Sequence, residues 1–397
     1  MKRFVIILLV LCLILGGAIG YVVAKNGGNG VVLPESGAAE TPSDGEITVR
    51  TLDYEAIRAL HEPDEIVGSV AGSDVSWEEY FYWLRSEGLE VEQQLQMLAY
   101  YGQSLGWDEK LSADSDLTLA GYVLEMAQSD CSQLHVIEAV AEENGVTLTE
   151  ENEAKLRERQ QQRLAERGCA SEEEFNALLE RDMVSRAMLD RVDRANFLYQ
   201  NNFITLYGAN GEKVPEETAI AYLRDNNYLC AAHILFSTVD LQSGELMDEE
   251  TAAQKLQQAE AVAEELRSIE DPAERAKRFA ELKEQYCEDT EGMSMFPDGY
   301  LFPPGVGAMA DEFEACVKTL QENEISEPVK TVYGYHVILR LPLSATMTMQ
   351  YSEAGTPLDA RALYANEQYN AMMNSRFEAG VFEPRDGFSL DLTDYLK

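Results

Sequence analysis

Apolar positions recur at intervals of three and four along most of residues 50–225, which predicts a region built mainly of helices. Ser76-Trp-Glu-Glu79 and Ser171-Glu-Glu-Glu174 are predicted capping boxes, in which a serine hydroxyl and a glutamate carboxylate satisfy backbone N–H groups at a helix start. Thr149 is placed to begin a further helix and Gly168 to end it. Pro215 is placed as the first residue of a short helix.

The pattern changes near residue 226, where short apolar runs begin to alternate with helical spacing. Leu229 to Phe236 is a nearly continuous apolar run, which predicts a buried strand, and His336 to Leu341 predicts a closing strand before Pro342. The predicted order is β-α-α-β-α-β-β, an α+β domain with an antiparallel sheet. A last helix is predicted between Pro357 and Ala379.

The N-terminus has the pattern of a membrane anchor. Phe4 to Ala24 carries no charge, and a helix of that length spans about 30 Å of hydrocarbon. Lys2 and Arg3 precede it and are expected to stay cytoplasmic, with the rest of the chain exported. We therefore expect a transmembrane signal-anchor at residues 1–25; a cleaved signal peptide, and hence secretion, is the competing interpretation. Residues 26–49, rich in Gly, Pro, Ser and Thr, are predicted to be a flexible linker.

Charge and cysteine spacing narrow the classes of partner. The chain has 31 Lys+Arg against 71 Asp+Glu, so its net charge is 31 − 71 = −40, and a field of that sign repels nucleic acid. The cysteines form no C-x-x-C pair, and Cys230-Ala-Ala-His233 has no second half with metal-ligand spacing, so neither a metal nor another cofactor is expected. Five cysteines lie beyond the predicted anchor, an odd number that implies at least one free thiol.

Aromatic side chains are dense between residues 77 and 107, and they have two interpretations. They are either core and helix–helix packing or, in part, the wall of a groove for unfolded polypeptide. The residues concerned are Trp77, Tyr80, Phe81, Tyr82, Trp83, Tyr100, Tyr101 and Trp107.

Six short motifs in the second half of the chain occur in the order in which parvulin-type prolyl isomerases carry them. They are Ala232-His-Ile-Leu235, Tyr286-Cys-Glu-Asp289, Gly299-Tyr-Leu-Phe302, Met309-Ala-Asp-Glu-Phe313, Glu324-Ile-Ser-Glu-Pro-Val329 and Thr331-Val-Tyr-Gly-Tyr-His-Val-Ile338. Residues 226–342 therefore resemble a parvulin-type prolyl isomerase domain. The helical residues 50–225 resemble, more loosely, the N-terminal lobe of the PrsA/SurA type of extracytoplasmic foldases and chaperones.

The resemblance implies roles for eight residues. Its catalytic positions match His233, Asp289, Thr331 and His336. Its pocket for the proline ring matches Leu301, Met309 and Phe313, and Tyr333 falls at the rim. In such a site no bond is broken: the X–Pro amide is bound better when twisted than when planar.

Two departures from the family pattern bear on activity. The usual Gly-Asp-Leu-Gly turn is here Gly299-Tyr-Leu-Phe302, which leaves catalytic efficiency open. The loop from Ser237 to Glu250 contains no Lys or Arg, so a preference for phosphorylated Ser/Thr-Pro is not expected.

The sequence thus predicts a membrane-tethered, extracytoplasmic foldase that isomerises X–Pro bonds in exported proteins. The alternative is a holdase chaperone whose parvulin domain is weak or inactive. Residues 343–397 are expected to form a C-terminal helix and tail that pack on the helical lobe, as the resembling foldases imply. The expected partners are unfolded exported polypeptides and the membrane. A homodimer is possible, and the sequence does not decide the oligomeric state.

Overall fold

The computed structural model describes residues 48–112, 115–352 and 355–397. The predicted anchor at 1–25, and the predicted linker up to residue 47, lie outside these residues. Among the residues that are described, no helix is both long enough and apolar enough to cross a bilayer. Contacts divide them into one compact unit of residues 48–205 and 370–397, and a second unit, Leu206–Tyr369.

The chain up to residue 225 is mostly helical, as the periodicity predicts. In order, its elements are α1 (Tyr54–Arg58), β1 (Ile66–Val70), β2 (Ser73–Ser76), α2 (Trp77–Tyr100), α3 (Leu119–Glu143), α4 (Glu150–Glu166), α5 (Glu172–Arg181), α6 (Arg186–Tyr207) and α7 (Glu216–Asp225).

Helix α4 begins and ends where the sequence predicts. Thr149 Oγ1 accepts a hydrogen bond from the Asn152 N–H at 3.1 Å, and Asn152 Oδ1 accepts one from the Thr149 N–H at 3.0 Å, so the cap is reciprocal. Gly168 follows the helix with φ +68°, a left-handed conformation that costs glycine little. Pro215 differs slightly from its prediction, because it is the residue before α7 and not the first residue within it.

The two predicted serine capping boxes are only half present. Ser76 Oγ accepts from the Glu79 N–H at 3.3 Å, but the Glu79 carboxylate accepts from Arg191 of α6 at 2.6 Å and not from the Ser76 backbone. At the start of α5, the Glu174 carboxylate accepts from the Ala170 N–H, one residue before the cap. The local pattern misses the first case because a tertiary ion pair competes for the same carboxylate.

Most of the eight aromatic residues between positions 77 and 107 are buried in the core of the first unit. Trp77, Tyr80, Phe81, Trp83 and Trp107 are buried, Tyr82 is partly buried, and Tyr100 and Tyr101 are exposed. For five of the eight, core packing is therefore the correct interpretation. The chain's last strand, β9 (Phe382–Pro384), pairs antiparallel with β1 and completes a three-stranded sheet in the order β2-β1-β9.

The elements after residue 225 are, in chain order, β3 (Leu229–Ser237), α8 (Glu249–Ser268), α9 (Pro272–Tyr286), α10 (Thr290–Met295), β4 (Tyr300–Phe302), α11 (Asp311–Thr319), β5 (Val329–Lys330), β6 (Gly334–Arg340), β7 (Gln350–Tyr351), β8 (Pro357–Leu358) and α12 (Ala360–Ala379). The second unit contains a four-stranded antiparallel sheet in the order β4-β3-β6-β5. The predicted order is confirmed except for α10, a short helix that the sequence pattern does not predict.

Both faces of this sheet are buried. Successive residues of β3 therefore all face a core, and the strand is an almost uninterrupted apolar run. Helices α8 and α9 cover the face that carries Ala232, Ile234 and Val337. Helix α11 covers the opposite face, where Phe313 packs with Ile338. All five cysteines of the described residues are free.

Candidate functional site

Two buried imidazoles meet on the α11 face of the sheet. His233 lies in β3 and His336 in the neighbouring β6, and the register pairs His233 with Ile338 and His336 with Leu235. Residues two positions apart along paired strands share a face, so both rings project to the same side. Their Nδ1 atoms lie 3.1 Å apart, and the two residues are only 7 % and 5 % exposed.

A carboxylate and a hydroxyl hold the outer ends of this pair. His233 Nε2 lies 3.0 Å from Asp289 Oδ2, and Asp289 also receives a hydrogen bond of 2.6 Å from the Tyr300 hydroxyl. At the other end, Thr331 Oγ1 lies 2.9 Å from His336 Nε2 and accepts from the Tyr333 N–H at 3.1 Å. The four predicted catalytic residues therefore form one continuous hydrogen-bonded chain.

Local backbone structure positions Asp289 and Thr331, the two end residues of this hydrogen-bonded chain. Asp289 is the N-cap of α10, and its Oδ1 accepts from the Gly292 N–H at 3.0 Å, which leaves Oδ2 free to face His233. Thr331 begins the turn into β6, where Gly334 has φ +147° and a Cβ would lie 2.2 Å from the Phe236 carbonyl oxygen. Only glycine fits that turn, so Gly334 sets the approach of Thr331 to His336.

The charges of the pair are unequal. The hydrogen bond from His233 holds the pKa of Asp289 far below its usual range, although burial opposes this. Burial tends to lower the pKa of His233, but its hydrogen bonds to Asp289 and Cys287 outweigh that effect and raise it. Burial, together with the neighbouring charge on His233, lowers the pKa of His336 to about 3.

The directions of these pKa shifts indicate which ring nitrogens carry protons. Where His233 carries the charge, it donates from Nε2 to Asp289 and from Nδ1 to His336. His336 then accepts at Nδ1 and holds its own proton on Nε2, facing the Thr331 oxygen. Each imidazole thus fixes the tautomer of the next, and the site holds an ordered row of dipoles in a water-poor floor.

The wall above the imidazoles is apolar. The Phe313 ring centre lies 5.6 Å from those of both histidines, Phe302 lies 6.3 Å from Phe313, and Met309 packs against the same cluster. Leu301 borders the cavity, but the register pairs it with Cys230, so its side chain points to the other face of the sheet. Phe302 therefore supplies the surface that the sequence motif assigns to Leu301.

The sequence also leaves Tyr300 and Cys287 without a role. Tyr300 stands where the family pattern has an acidic residue, and its hydroxyl holds Asp289; burial and that hydrogen bond raise its pKa. The sequence feature that could have indicated this role is the position of Tyr300 directly after the Gly299 turn. Cys287 is buried behind His233, with its Sγ 3.4 Å from the Leu235 N–H. Burial opposes ionisation, but hydrogen bonds from His233 and Leu235 lower the pKa of Cys287.

These groups line a cavity of about 1070 Å³, here called the histidine cavity, which lies wholly within the second unit. Tyr333 stands at its rim and is 51 % exposed. Among the described residues, no Lys or Arg lines it, in line with the absence of a basic cluster in the loop from Ser237 to Glu250.

Comparison with known proteins finds relatives for part of the chain. A family model described as a PPIC-type PPIase (rotamase) domain matches residues 233–341. Foldase protein PrsA of Oceanobacillus iheyensis is 28% identical over 172 residues, which cover 43% of this chain and 47% of that protein. Foldase protein PrsA of Halalkalibacterium halodurans is 30% identical over 131 residues, 32% of each chain. The matches thus span less than half the length of these curated relatives.

A crystal structure of PrsA from Bacillus subtilis aligns with 80% of this chain and 91% of its own length, at 18% identity and a TM-score of 0.24. That superposition is too weak to transfer any residue or contact. The comparisons thus show a match of residues 233–341 to the PPIC-type PPIase (rotamase) domain, and a similarity of part of this chain to foldase proteins named PrsA.

Proposed function

We propose that the chain catalyses cis–trans isomerisation of X–Pro peptide bonds in exported polypeptides, without a preference for phosphorylated residues. One observation carries this proposal: the Asp289–His233–His336–Thr331 chain forms the floor of an apolar-walled cavity. A second supports it, since the relatives are named foldases and the matched domain is a rotamase domain.

The chemistry follows from the resistance of the amide to rotation. The barrier, near ~20 kcal/mol, reflects the partial double-bond character of C–N, and a twisted amide loses it without any bond being broken. Phe313, Phe302 and Met309 offer apolar contact to the proline ring. The fixed dipoles of the floor favour the changed charge distribution of the twisted carbonyl and nitrogen. No side chain has to act as a nucleophile.

An assay on a proline tetrapeptide tests this function. The full chain in detergent is expected to accelerate cis-to-trans conversion, and the His233→Ala, Asp289→Ala double variant is expected to lose that acceleration. His61→Ala is the matched control, because His61 lies outside the second unit. Equal rates for the wild type and the double variant would eliminate the enzyme function.

We further propose that residues 1–25 anchor the chain in a membrane, with the rest extracytoplasmic. The uncharged run after Lys2 and Arg3 supports this topology. Bacteria that express the chain should retain it in the membrane fraction after an alkaline wash, and protease added to protoplasts should remove the isomerase domain. Release of the full-length chain by the wash, or its protection from protease, would contradict the proposal.

A second function, binding of unfolded polypeptide, is favoured by a cleft in the first unit. The cleft holds about 790 Å³ and is lined by residues of α2, α4, α5 and α6, among them Leu89, Met97 and Phe175. Both polar atoms of the Gln94 carboxamide are buried there without a hydrogen-bond partner among the described residues, and Gln94 is 5 % exposed. A peptide group offers the matching donor and acceptor.

Light scattering by a chemically unfolded client tests this second function. The full chain is expected to suppress aggregation, and a Leu89→Asp, Met97→Asp variant to suppress it less, while prolyl isomerisation stays at the wild-type rate. Leu246→Asp is the control, since Leu246 is 81 % exposed and does not line the cleft. Suppression no better than that of an unrelated protein would exclude the holdase.

A further inference from the structure

The histidine cavity extends beyond the parvulin domain. Its lining includes Met349, Leu358 and Leu363, which all follow residue 341, where the family match ends. Met349 immediately precedes β7, Leu358 lies in β8 and Leu363 lies in the first turn of α12. A segment outside the isomerase domain therefore supplies part of the wall of its site.

This added wall is attached to the site by specific contacts. The β7–β8 hairpin is closed by pairing of Gln350 with Leu358, and the Met349 N–H donates to the Leu358 carbonyl at 2.8 Å. The Tyr351 hydroxyl donates to the Met295 carbonyl of α10 at 2.8 Å. The hairpin is thus hydrogen-bonded to the helix that Asp289 caps.

Three aromatic rings in mutual contact link the β7–β8 hairpin to the imidazole site. The Phe296 ring centre lies 6.1 Å from that of Tyr351 and 5.5 Å from that of Tyr300, whose hydroxyl holds Asp289. Aromatic pairs at such separations stabilise one another beyond their burial alone. The hairpin is therefore held at a defined position beside the imidazole floor.

The size and chemistry of the cavity indicate what this wall contacts. A volume of about 1070 Å³ is far more than a proline ring fills, and pockets of this order hold drug-sized ligands. Met349, Leu358 and Leu363 are partly buried apolar side chains. Of the two carboxylates that line the cavity, Asp289 is paired with His233, and Glu291 is the other. The added wall thus favours an apolar side chain, and Glu291 disfavours an acidic one.

We propose that Met349, Leu358 and Leu363 form a specificity subsite that binds an apolar side chain flanking the proline of the substrate polypeptide. The subsite rests on the proposed isomerase function and adds a substrate class to it: X–Pro segments with a large apolar neighbour. Its occupant belongs to the same chain as the proline, because the subsite is continuous with the cavity that holds the ring. Binding energy from a remote side chain raises kcat/KM by improving capture of the segment.

Two series of proline tetrapeptides test the subsite in the full chain. One series varies the residue before proline, the other the residue after it, through Leu, Ala, Lys and Glu. In at least one series, kcat/KM for Leu is expected to exceed that for Ala by about tenfold, mainly through KM, with Glu lowest. Equal kcat/KM for Leu and Ala in both series overturns the proposal, and this needs no variant to fold.

A Met349→Ser, Leu358→Ser variant tests the residues themselves. The Leu-to-Ala ratio is expected to fall to within about twofold of one, while Leu246→Ser, an exposed apolar site outside the cavity, keeps the wild-type ratio. An unchanged ratio in the double variant overturns the subsite. Absence of turnover on every peptide by the wild type would instead contradict the isomerase function, so the two failures are distinguishable.

Discussion

His233 Nε2 lies 3.0 Å from Asp289 Oδ2, and this contact separates the behaviour of the two imidazoles of the site. The histidine that faces the carboxylate has a raised pKa, whereas His336, whose ring nitrogens face the other imidazole and a hydroxyl, has a pKa lowered to about 3. The two imidazoles of the floor thus have pKa values shifted in opposite directions, and removing the carboxylate should disturb both.

Asp289→Asn is expected to lower the pKa of His233 and to reduce isomerase activity. Loss of a hydrogen bond to a charged group costs about 1.5–3 kcal/mol, which corresponds to roughly ten- to a hundredfold in kcat/KM where the transition state uses it fully. Histidine NMR titration gives the pKa, and the tetrapeptide assay gives the rate. The variant keeps the cap of α10, because asparagine also caps helices. A His233 pKa that does not move would disprove the coupling.

Acid should destabilise the fold partly through His336. Its pKa in the folded state is lowered from the ordinary 6.5 to about 3, so between these values the unfolded chain binds a proton that the folded chain does not. Stability from this group is present above pH 6.5 and is lost as the pH falls toward 3. The stability that Asp289 contributes through its lowered pKa is present above its ordinary value of 3.8 and is lost only at lower pH. The stability that His233 contributes through its raised pKa is fully present below 6.5 and is lost only as the pH rises above that value.

The test compares the wild type with His336→Gln in urea titrations at pH 6 and pH 4. Both proteins lose stability through other carboxylates, but the loss is expected to be smaller in the variant, because glutamine does not titrate. His61→Gln, a replacement of a histidine outside the second unit, serves as the control for the substitution itself. Equal losses in wild type and His336→Gln would refute the assignment.

Tyr300→Phe should weaken the hold on Asp289 while keeping the ring. The variant removes the 2.6 Å hydrogen bond but leaves the ring contacts with His233 and Phe296. We expect a loss of about 1 kcal/mol in the free energy of unfolding and a several-fold lower kcat/KM. Urea denaturation with an unchanged m-value measures the first. A variant as active and as stable as the wild type would show that the Tyr300 hydroxyl does not contribute to the site.

Gly68→Ala should destabilise the first unit selectively. A Cβ at this position would lie 2.2 Å from Cζ of Phe382, the strand β9 residue that packs across β1, and overpacking of this kind costs about 1–3 kcal/mol. The three tryptophans, Trp77, Trp83 and Trp107, all lie in the first unit, so their fluorescence reports its unfolding. Gly121→Ala, in the first turn of α3, is the matched control, because its Cβ would lie 3.1 Å from Cδ1 of Leu117, the end of a side chain that can move aside; it should unfold at about the wild-type temperature.

Retained prolyl isomerisation by Gly68→Ala above its first fluorescence transition would show that the second unit unfolds separately. Transition temperatures equal to that of the wild type would mean that Phe382 can give way, and the close approach of β9 to β1 would not be a constraint.

Local patterns in the sequence determined the elements and the identities of the central residues. Helical spacing, the Thr149 cap and the Gly168 stop are properties of neighbouring residues, so they can be read without the fold. The histidine, aspartate and threonine positions followed from motifs, and the structure brings all four side chains into one hydrogen-bonded chain.

Tertiary structure decided what depends on partners distant in the chain. The Glu79 carboxylate leaves its predicted cap for Arg191, 112 residues away, and β-sheet register turns Leu301 away from the imidazoles and Phe302 toward them. A one-residue difference in register exchanges the two faces of a strand, and no spacing within a three-residue strand specifies it. The joining of Met349 and Leu358 to the histidine cavity likewise arises only on folding, because it rests on contacts between the hairpin and α10.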